Sequence, residues 1–306
     1  MENEGKLDPW VASWLDANPL FAGPLEDLSP ELLELARGPV GAPPKRHIGS
    51  IRDDTVDGVP VRIYRKERSE GVVVYFHGGG FVVGSIGLMD NVARELAYVS
   101  GATVISVDYR LAPEHPFPAA LDDCECVTRW AVAHAESLGT SADRVVVAGE
   151  SAGGNLAAAV ALRLRDSGGA RLAGQVLIYP AVAGSFEFPS ARDFDGLVIS
   201  RRGSKNVWAA YSGGSTLDSD PYAVPLCASS LEDLPPALVI LGGCDMLRDE
   251  GRAYARRLLD DGVDVREICY PGQPHGFMNF EFPAAADAFA QIGDRVRTWV
   301  GGATQP

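Results

Sequence analysis

The stretch RVVVAGESAGGNLAAAV, residues 144–160, decides the fold. An apolar run at 144–148 leads into Gly149-Glu150-Ser151-Ala152-Gly153, and an alanine-rich segment follows at once. Strand, G-x-S-x-G turn and helix in that order form a nucleophile elbow. The residue types follow from geometry. The turn is too tight for bulky neighbours, so Gly149 and Gly153 let strand and helix approach while the Ser151 hydroxyl stays exposed at the strand end. The helix behind it aims its N-terminal N–H groups at the place where negative charge would form. The chain holds 34 glycines, so the five-residue pattern alone carries little weight. Its strand-turn-helix setting is what makes it a catalytic candidate.

Working outward, the chain alternates strand and helix signals. Residues 45–66 read as two strands around an Asp57-Gly58 turn. The apolar run at 71–76 reads as a strand buried on both faces, ending in His77-Gly78-Gly79-Gly80. A helix at 88–99, a strand at 103–107 and a helix at 119–137 lead to the elbow strand. Beyond the elbow helix lie a strand at 172–179, a strand at 236–243, a helix ending near Asp261, a last strand at 265–270 and a helix at 284–300. Such alternation implies parallel β-α-β units and a sheet covered on both faces. Residues 181–225 interrupt the rhythm. They are polar and rich in Gly and Ser, and read as an insertion at the C-terminal edge of the strands, where α/β proteins bind ligands. Residues 1–44 hold two short amphipathic stretches, around Trp10–Leu15 and 29–35, closed by Pro39, Pro43 and Pro44. They fit either a cap over a site or the cover of a hydrophobic edge.

At 306 residues the chain can bury one large core, which favours a single α/β domain with a cap. The expected division is a helical cap segment at 1–44 and a catalytic domain at 45–306 with a cap insertion near 181–225. The composition, 46% hydrophobic and 22% charged, is that of a globular protein. A formal net charge of −14 argues against nucleic acid and anionic membrane surfaces as partners. Five cysteines, at 124, 126, 227, 244 and 269, show no disulfide framework, and Cys124-Glu125-Cys126 is too tight for a zinc site. Reduced thiols fit a reducing cytoplasm. Met1-Glu2-Asn3-Glu4 lacks the basic start of a signal peptide, and no apolar run reaches membrane-spanning length. No metal or cofactor is expected.

A neutral serine is a weak nucleophile and needs a base within hydrogen-bond reach. Five histidines are available: His47, His77, His115, His134 and His275. His47 lies in the first strand region, His77 belongs to the glycine motif, His115 sits among prolines and His134 in a helix. His275 alone follows a late strand in a loop, as the order Ser…Asp…His requires. The orienting acid belongs in the loop after the preceding strand. There Asp245 comes first, while Asp249 and Glu250 suit the first turn of the next helix. Gly78 and Gly79, with Ala152 after the serine, are candidate N–H donors for an oxyanion.

Six motifs now stand together: HGGGFVVGS at 77–85, DYRLAPEHPFPAALDD at 108–123, GESAGGNLA at 149–157, LPPALVI at 234–240, CDMLRDEG at 244–251 and HGF at 275–277. With them the chain resembles the hormone-sensitive lipase family of α/β-hydrolases, the bacterial family IV esterases. The resemblance runs from about residue 71 to 280. It implies an eight-stranded, mostly parallel sheet with a helical cap. It also implies cofactor-free hydrolysis of short- to medium-chain carboxylic esters through an acyl-enzyme. Ser151 would be the nucleophile, His275 the base, Asp245 the acid, and Gly78, Gly79 and Ala152 the oxyanion donors. A homodimer is suggested by the same analogy. Two positions depart from the family: Glu150 stands where Asp is commonest, and Met246 where Pro is common. The same triad could serve a deacetylase, lactonase or amidase. A non-catalytic small-molecule receptor of this fold would lack the base histidine, which this chain keeps.

Overall fold

The computed structural model describes residues 5–18, 28–38, 44–66 and 69–301. Pro39, Pro43, the first four residues and parts of the 1–44 segment therefore lie outside the described residues. Runs with almost no polar side chain tolerate burial on both faces, and five strands are buried at every position. They are β3 (Val72–Phe76), β4 (Thr103–Val107), β5 (Val145–Glu150), β6 (Gly174–Ile178) and β7 (Ala237–Cys244). With β1 (Ser50–Val56), β2 (Val59–Arg65) and β8 (Val265–Pro274) they form an eight-stranded sheet in the order β1-β2-β4-β3-β5-β6-β7-β8. The β1–β2 and β2–β4 pairs are antiparallel and the rest parallel. The hairpin at Asp57-Gly58 is the one expected, with both residues at positive φ.

The period of two along each strand divides the core into two layers. Val72, Val74 and Phe76 pack with α4 (Ala119–Ala133), α5 (Ala152–Asp166) and α8 (Arg248–Asp260). Val73 and Tyr75 pack with α1 (Pro9–Ala17), α3 (Asp90–Ser100) and α9 (Pro283–Val300). The Asp8 carboxylate caps α1 by accepting from the N–H groups of Trp10 and Val11, at 2.8 and 3.3 Å. Val11 and Leu15 enter the core, and Trp14 packs on Phe280.

α2 (Pro30–Ala36) lies elsewhere: Leu33 packs on Val82, Val83 and Ala112. The 181–225 segment, polar enough to read as irregular, contains α6 (Pro189–Asp193) and α7 (Arg201–Ser212). Ser200 caps α7 through the Gly203 N–H at 3.0 Å. Only Gly203, Tyr211 and Ser212 of α7 are buried, while Val207 and Trp208 on the same face turn to the cavity. Tyr211 stacks on Phe81 at 3.7 Å between centroids, tying α7 to the loop after β3.

Two strand ends are longer than the apolar runs. β8 continues past Tyr270 to Pro274, because Cys244 pairs with Pro274 across an irregularity at Gly242. A Cβ on Gly242 would lie 2.7 Å from the Gln273 carbonyl oxygen, so the close approach needs glycine there. That register puts Asp245 and His275, each one residue further, side by side.

Candidate active site

The elbow is built by contact between backbones. A Cβ on Gly149 would lie 2.0 Å from the Gly153 carbonyl oxygen, and one on Gly153 would lie 2.0 Å from that of Phe76. No side chain fits either place. Ser151 takes φ 54° and ψ −117°, a conformation a residue with a side chain holds only when its surroundings force it. Its N–H donates to the Ile178 carbonyl at 2.9 Å, which anchors the turn to β6.

Three expected side chains meet here. The Ser151 hydroxyl lies 2.9 Å from His275 Nε2, and His275 Nδ1 lies 2.9 Å from Asp245 Oδ2. Asp245 is fully buried, and its Oδ1 accepts the Leu247 N–H at 2.8 Å. An ionised carboxylate only accepts, so Nδ1 carries the proton and Nε2 offers its lone pair to the serine. This is the tautomer a general base needs. Tyr179 packs its ring edge against His275 at 5.0 Å.

Pairing of Phe76 with Gly149 sets the loop after β3 beside the elbow. Gly78, Gly79, Ser151, Ala152 and His275 all line one cavity of about 380 Å³. Ala152 opens α5, so the cavity also receives that helix's N-terminus. Phe186, Ile199, Val207, Trp208 and Leu247 supply much of the apolar wall. No lysine or arginine reaches the cavity among the described residues.

The other candidates fall away by position. His47, His115 and His134 are exposed, and His134 stacks on Trp130. His77 is buried, stacked on Tyr109 at 4.2 Å, and its Nδ1 sits 2.7 Å from the Gly78 carbonyl oxygen. Burial holds its pKa below the ordinary value, so it stays neutral and Nδ1–H is the donor. Asp249 lies in the first turn of α8. Burial opposes its ionisation, but Arg248 and the Ser190 N–H together hold its carboxyl below the usual range.

Buried residues outside the expected triad hold this edge together. Asn155 Nδ2 donates to Ala181 O at 2.7 Å and Ala223 O at 2.8 Å, gripping both ends of the 181–225 segment. Glu250 Oε1 accepts the N–H groups of Val182 and Ala183 at 2.7 and 3.2 Å. Burial raises its pKa from 4.5 to about 8. Tyr75 and Tyr179 both donate to Glu150, which is itself buried behind the serine. Asn155 and Glu250 stand inside two of the quoted motifs, whereas Tyr75 and Tyr179 read as ordinary strand residues. Met246, in the family's proline position, is buried among Ala191, Leu247 and Phe186. Among the described residues, no three or more His, Cys, Asp or Glu are grouped to hold a metal, and no helix is long and apolar enough to cross a membrane.

Comparison with known proteins agrees with this fold. Residues 73–279 match a family model described as the alpha/beta hydrolase fold. The chain is 36% identical over 294 residues to the esterase LipI of Mycobacterium tuberculosis, covering 92% of each. It is 39% identical over 242 residues to an ethyl acetate hydrolase of Pseudomonas putida, covering 76% of each. Among solved structures, a hyperthermophilic esterase from the archaeon Pyrobaculum calidifontis superposes with a TM-score of 0.87 at 35% identity. That match covers 96% of this chain and 98% of the other.

Proposed function

The chain belongs to the α/β-hydrolase family, in the hormone-sensitive lipase branch its motifs resemble, and on that footing we propose that it is a serine carboxylesterase acting on neutral esters of short to medium chain length. The observation that carries the reading is the unbroken hydrogen-bond line Ser151–His275–Asp245 at the wall of an apolar cavity. His275 takes the Ser151 proton as Oγ attacks the ester carbonyl. The C–O bond to the alcohol breaks as His275 returns that proton to the leaving oxygen. Water then repeats the sequence on the acyl-serine and releases the acid. Asp245 holds the imidazole in its working tautomer and stabilises the imidazolium. The N–H groups of Gly78, Gly79 and Ala152 receive the oxyanion, and losing one such donor costs about 3–4 kcal/mol of barrier.

We assign residues 1–44, of which α2 backs the loop after β3, and the insertion near 181–225, with α7, to a cap over the domain formed by 45–306. The cavity wall favours uncharged acyl and alcohol groups, since an unpaired charge buried there would be costly. We assign the protein to a reducing, cytoplasmic setting on the odd count and irregular spacing of its five cysteines. Sedimentation would test the homodimer that the family resemblance suggests. The deciding experiment is steady-state hydrolysis of p-nitrophenyl esters from acetate to palmitate, with Ser151→Ala in parallel. We expect a maximum at short or medium chains and a loss of roughly 10⁵- to 10⁶-fold in the variant. Turnover retained by Ser151→Ala would remove the elbow from the mechanism. Turnover only of amides, lactones or acetylated sugars would move the substrate and keep the triad.

A further inference from the structure

The face of the sheet opposite α5 carries a buried polar group that ester hydrolysis does not use. Glu150 lies between two phenols, with Tyr75 Oη donating to Oε1 at 2.9 Å and Tyr179 Oη to Oε2 at 2.6 Å. All three residues are at most 1% exposed. Burial, and then the neighbouring carboxylate, drive both phenol pKa values far above the ordinary one, so both stay protonated donors and the carboxylate is the acceptor.

Each partner belongs to a different part of the site. Glu150 is the residue before the nucleophile. Tyr75 is on β3, two residues before His77 and the glycine loop. A Cβ on Gly78 would lie 3.3 Å from Glu150 Cγ, so that loop rests on the glutamate stem. Tyr179 follows β6 at φ 34°, a left-handed conformation that disfavours a bulky residue, and its N–H is fixed by the Ile240 carbonyl at 2.7 Å. Its ring then meets His275. Glu150 thus lies under the oxyanion loop, directly precedes the nucleophile in the chain, and bonds the tyrosine that packs against the base.

We propose that Glu150 is a positioning residue that clamps Tyr75 and Tyr179, and through them holds the oxyanion loop and His275 in register with Ser151. This rests on the ester-hydrolysis reading above. The length of the side chain matters. Aspartate, commonest in the resembling family, is shorter by one C–C bond of about 1.5 Å, and could not reach both phenols in their present places. Glutamine keeps the length but turns an NH₂ donor toward one phenol oxygen, so that contact reverses and the phenol O–H loses its acceptor.

The test is hydrolysis of p-nitrophenyl butyrate, with thermal unfolding, by Glu150→Asp, Glu150→Gln, Tyr75→Phe and Tyr179→Phe. The tyrosine variants lose one oxygen atom each and keep their packing. The clamp predicts kcat lower by about 10- to 100-fold in the glutamate variants with KM changed less than about threefold, because misplacement acts on the transition state. It predicts a smaller kcat loss in each tyrosine variant, and a less than additive loss when Tyr75→Phe and Tyr179→Phe are both added to Glu150→Gln, since all three act on the same pair of links. Lowered melting temperatures with native kcat at 25 °C would overturn the clamp and leave the cluster a purely structural one. Raised KM at unchanged kcat would overturn it too. A native protein without ester turnover would overturn the reading it rests on, and the clamp with it; native turnover with unimpaired variants overturns the clamp alone.

Discussion

At the edge of the sheet, Ser151, Asp245 and His275 stand one residue beyond paired strands. On the opposite wall of the cavity, α7 is held by Tyr211 stacked on Phe81, and behind that wall α2 is held by Leu33 against Val82 and by one arginine. Arg37 donates to the carbonyls of Val82 and Ala112, each at 2.7 Å, and pairs with the half-exposed Glu114 at 2.8 Å. The first region is fixed by backbone contacts that leave no room for adjustment. The second rests on side chains that can repack. Chemistry and substrate fit are thus held by different physical means, and separate perturbations should move them.

The largest effect should come at the edge. Asp245→Asn would let His275 adopt the wrong tautomer and lower kcat by about 10⁴-fold with the fold intact, as measured by single-substrate kinetics. A loss of tenfold or less would show that another acceptor orients the base. Next, Gly153→Ala would drive a methyl into the carbonyl of Phe76, and the elbow would open. We expect a loss of about 3 kcal/mol or more in denaturant unfolding. If the variant were as stable as the native chain, backbone contact would not be what fixes this region.

Glu250 joins the two regions, since it binds the start of the insertion from the helix after Asp245. Its pKa, raised on folding from 4.5 to about 8, gives a stability contribution fully present below pH 4.5 and lost as pH rises through 8. Each tenfold difference in proton affinity between the folded and unfolded chain is worth about 1.4 kcal/mol at the high-pH end. Glu250→Gln removes the titration and keeps an acceptor for Val182 and Ala183. The variant should therefore gain stability relative to the native chain between pH 5 and pH 9, read as melting temperatures. Parallel curves would mean that the native carboxyl titrates normally. The smallest effect belongs to the far wall. Arg37→Met should raise KM a few-fold for longer acyl chains and leave kcat for acetate esters within about twofold. A large fall in kcat would mean that the two regions are not separable.

What can be read in the chain follows the same division. G-x-S-x-G is legible because steric exclusion acts within five residues. Asp245 is distinguishable from Asp249 because strand ends and helix starts favour different side chains, and the pairing of Cys244 with Pro274 supplies the rest. The grip of Arg37 on Glu114 spans 77 residues and leaves no local pattern. Tyr75 reads as one more apolar residue in a buried strand. Only the adjacency of β3, β5 and β6 brings it and Tyr179 to Glu150. α7 is hidden for another reason: its short apolar face, Val207, Trp208 and Tyr211, is embedded in a polar segment rich in Gly and Ser.

The register of β7 on β8 bears on how this protein could be altered. Because the hydrogen-bonded register of two strands brings Asp245 beside His275, the reactive centre should tolerate extensive randomisation of the opposite wall. A combinatorial library at Phe186, Ile199, Val207 and Trp208 would explore enantiomer and chain-length preference while turnover itself persists. The fold in this sense separates what is inherited unchanged from what selection is free to rewrite.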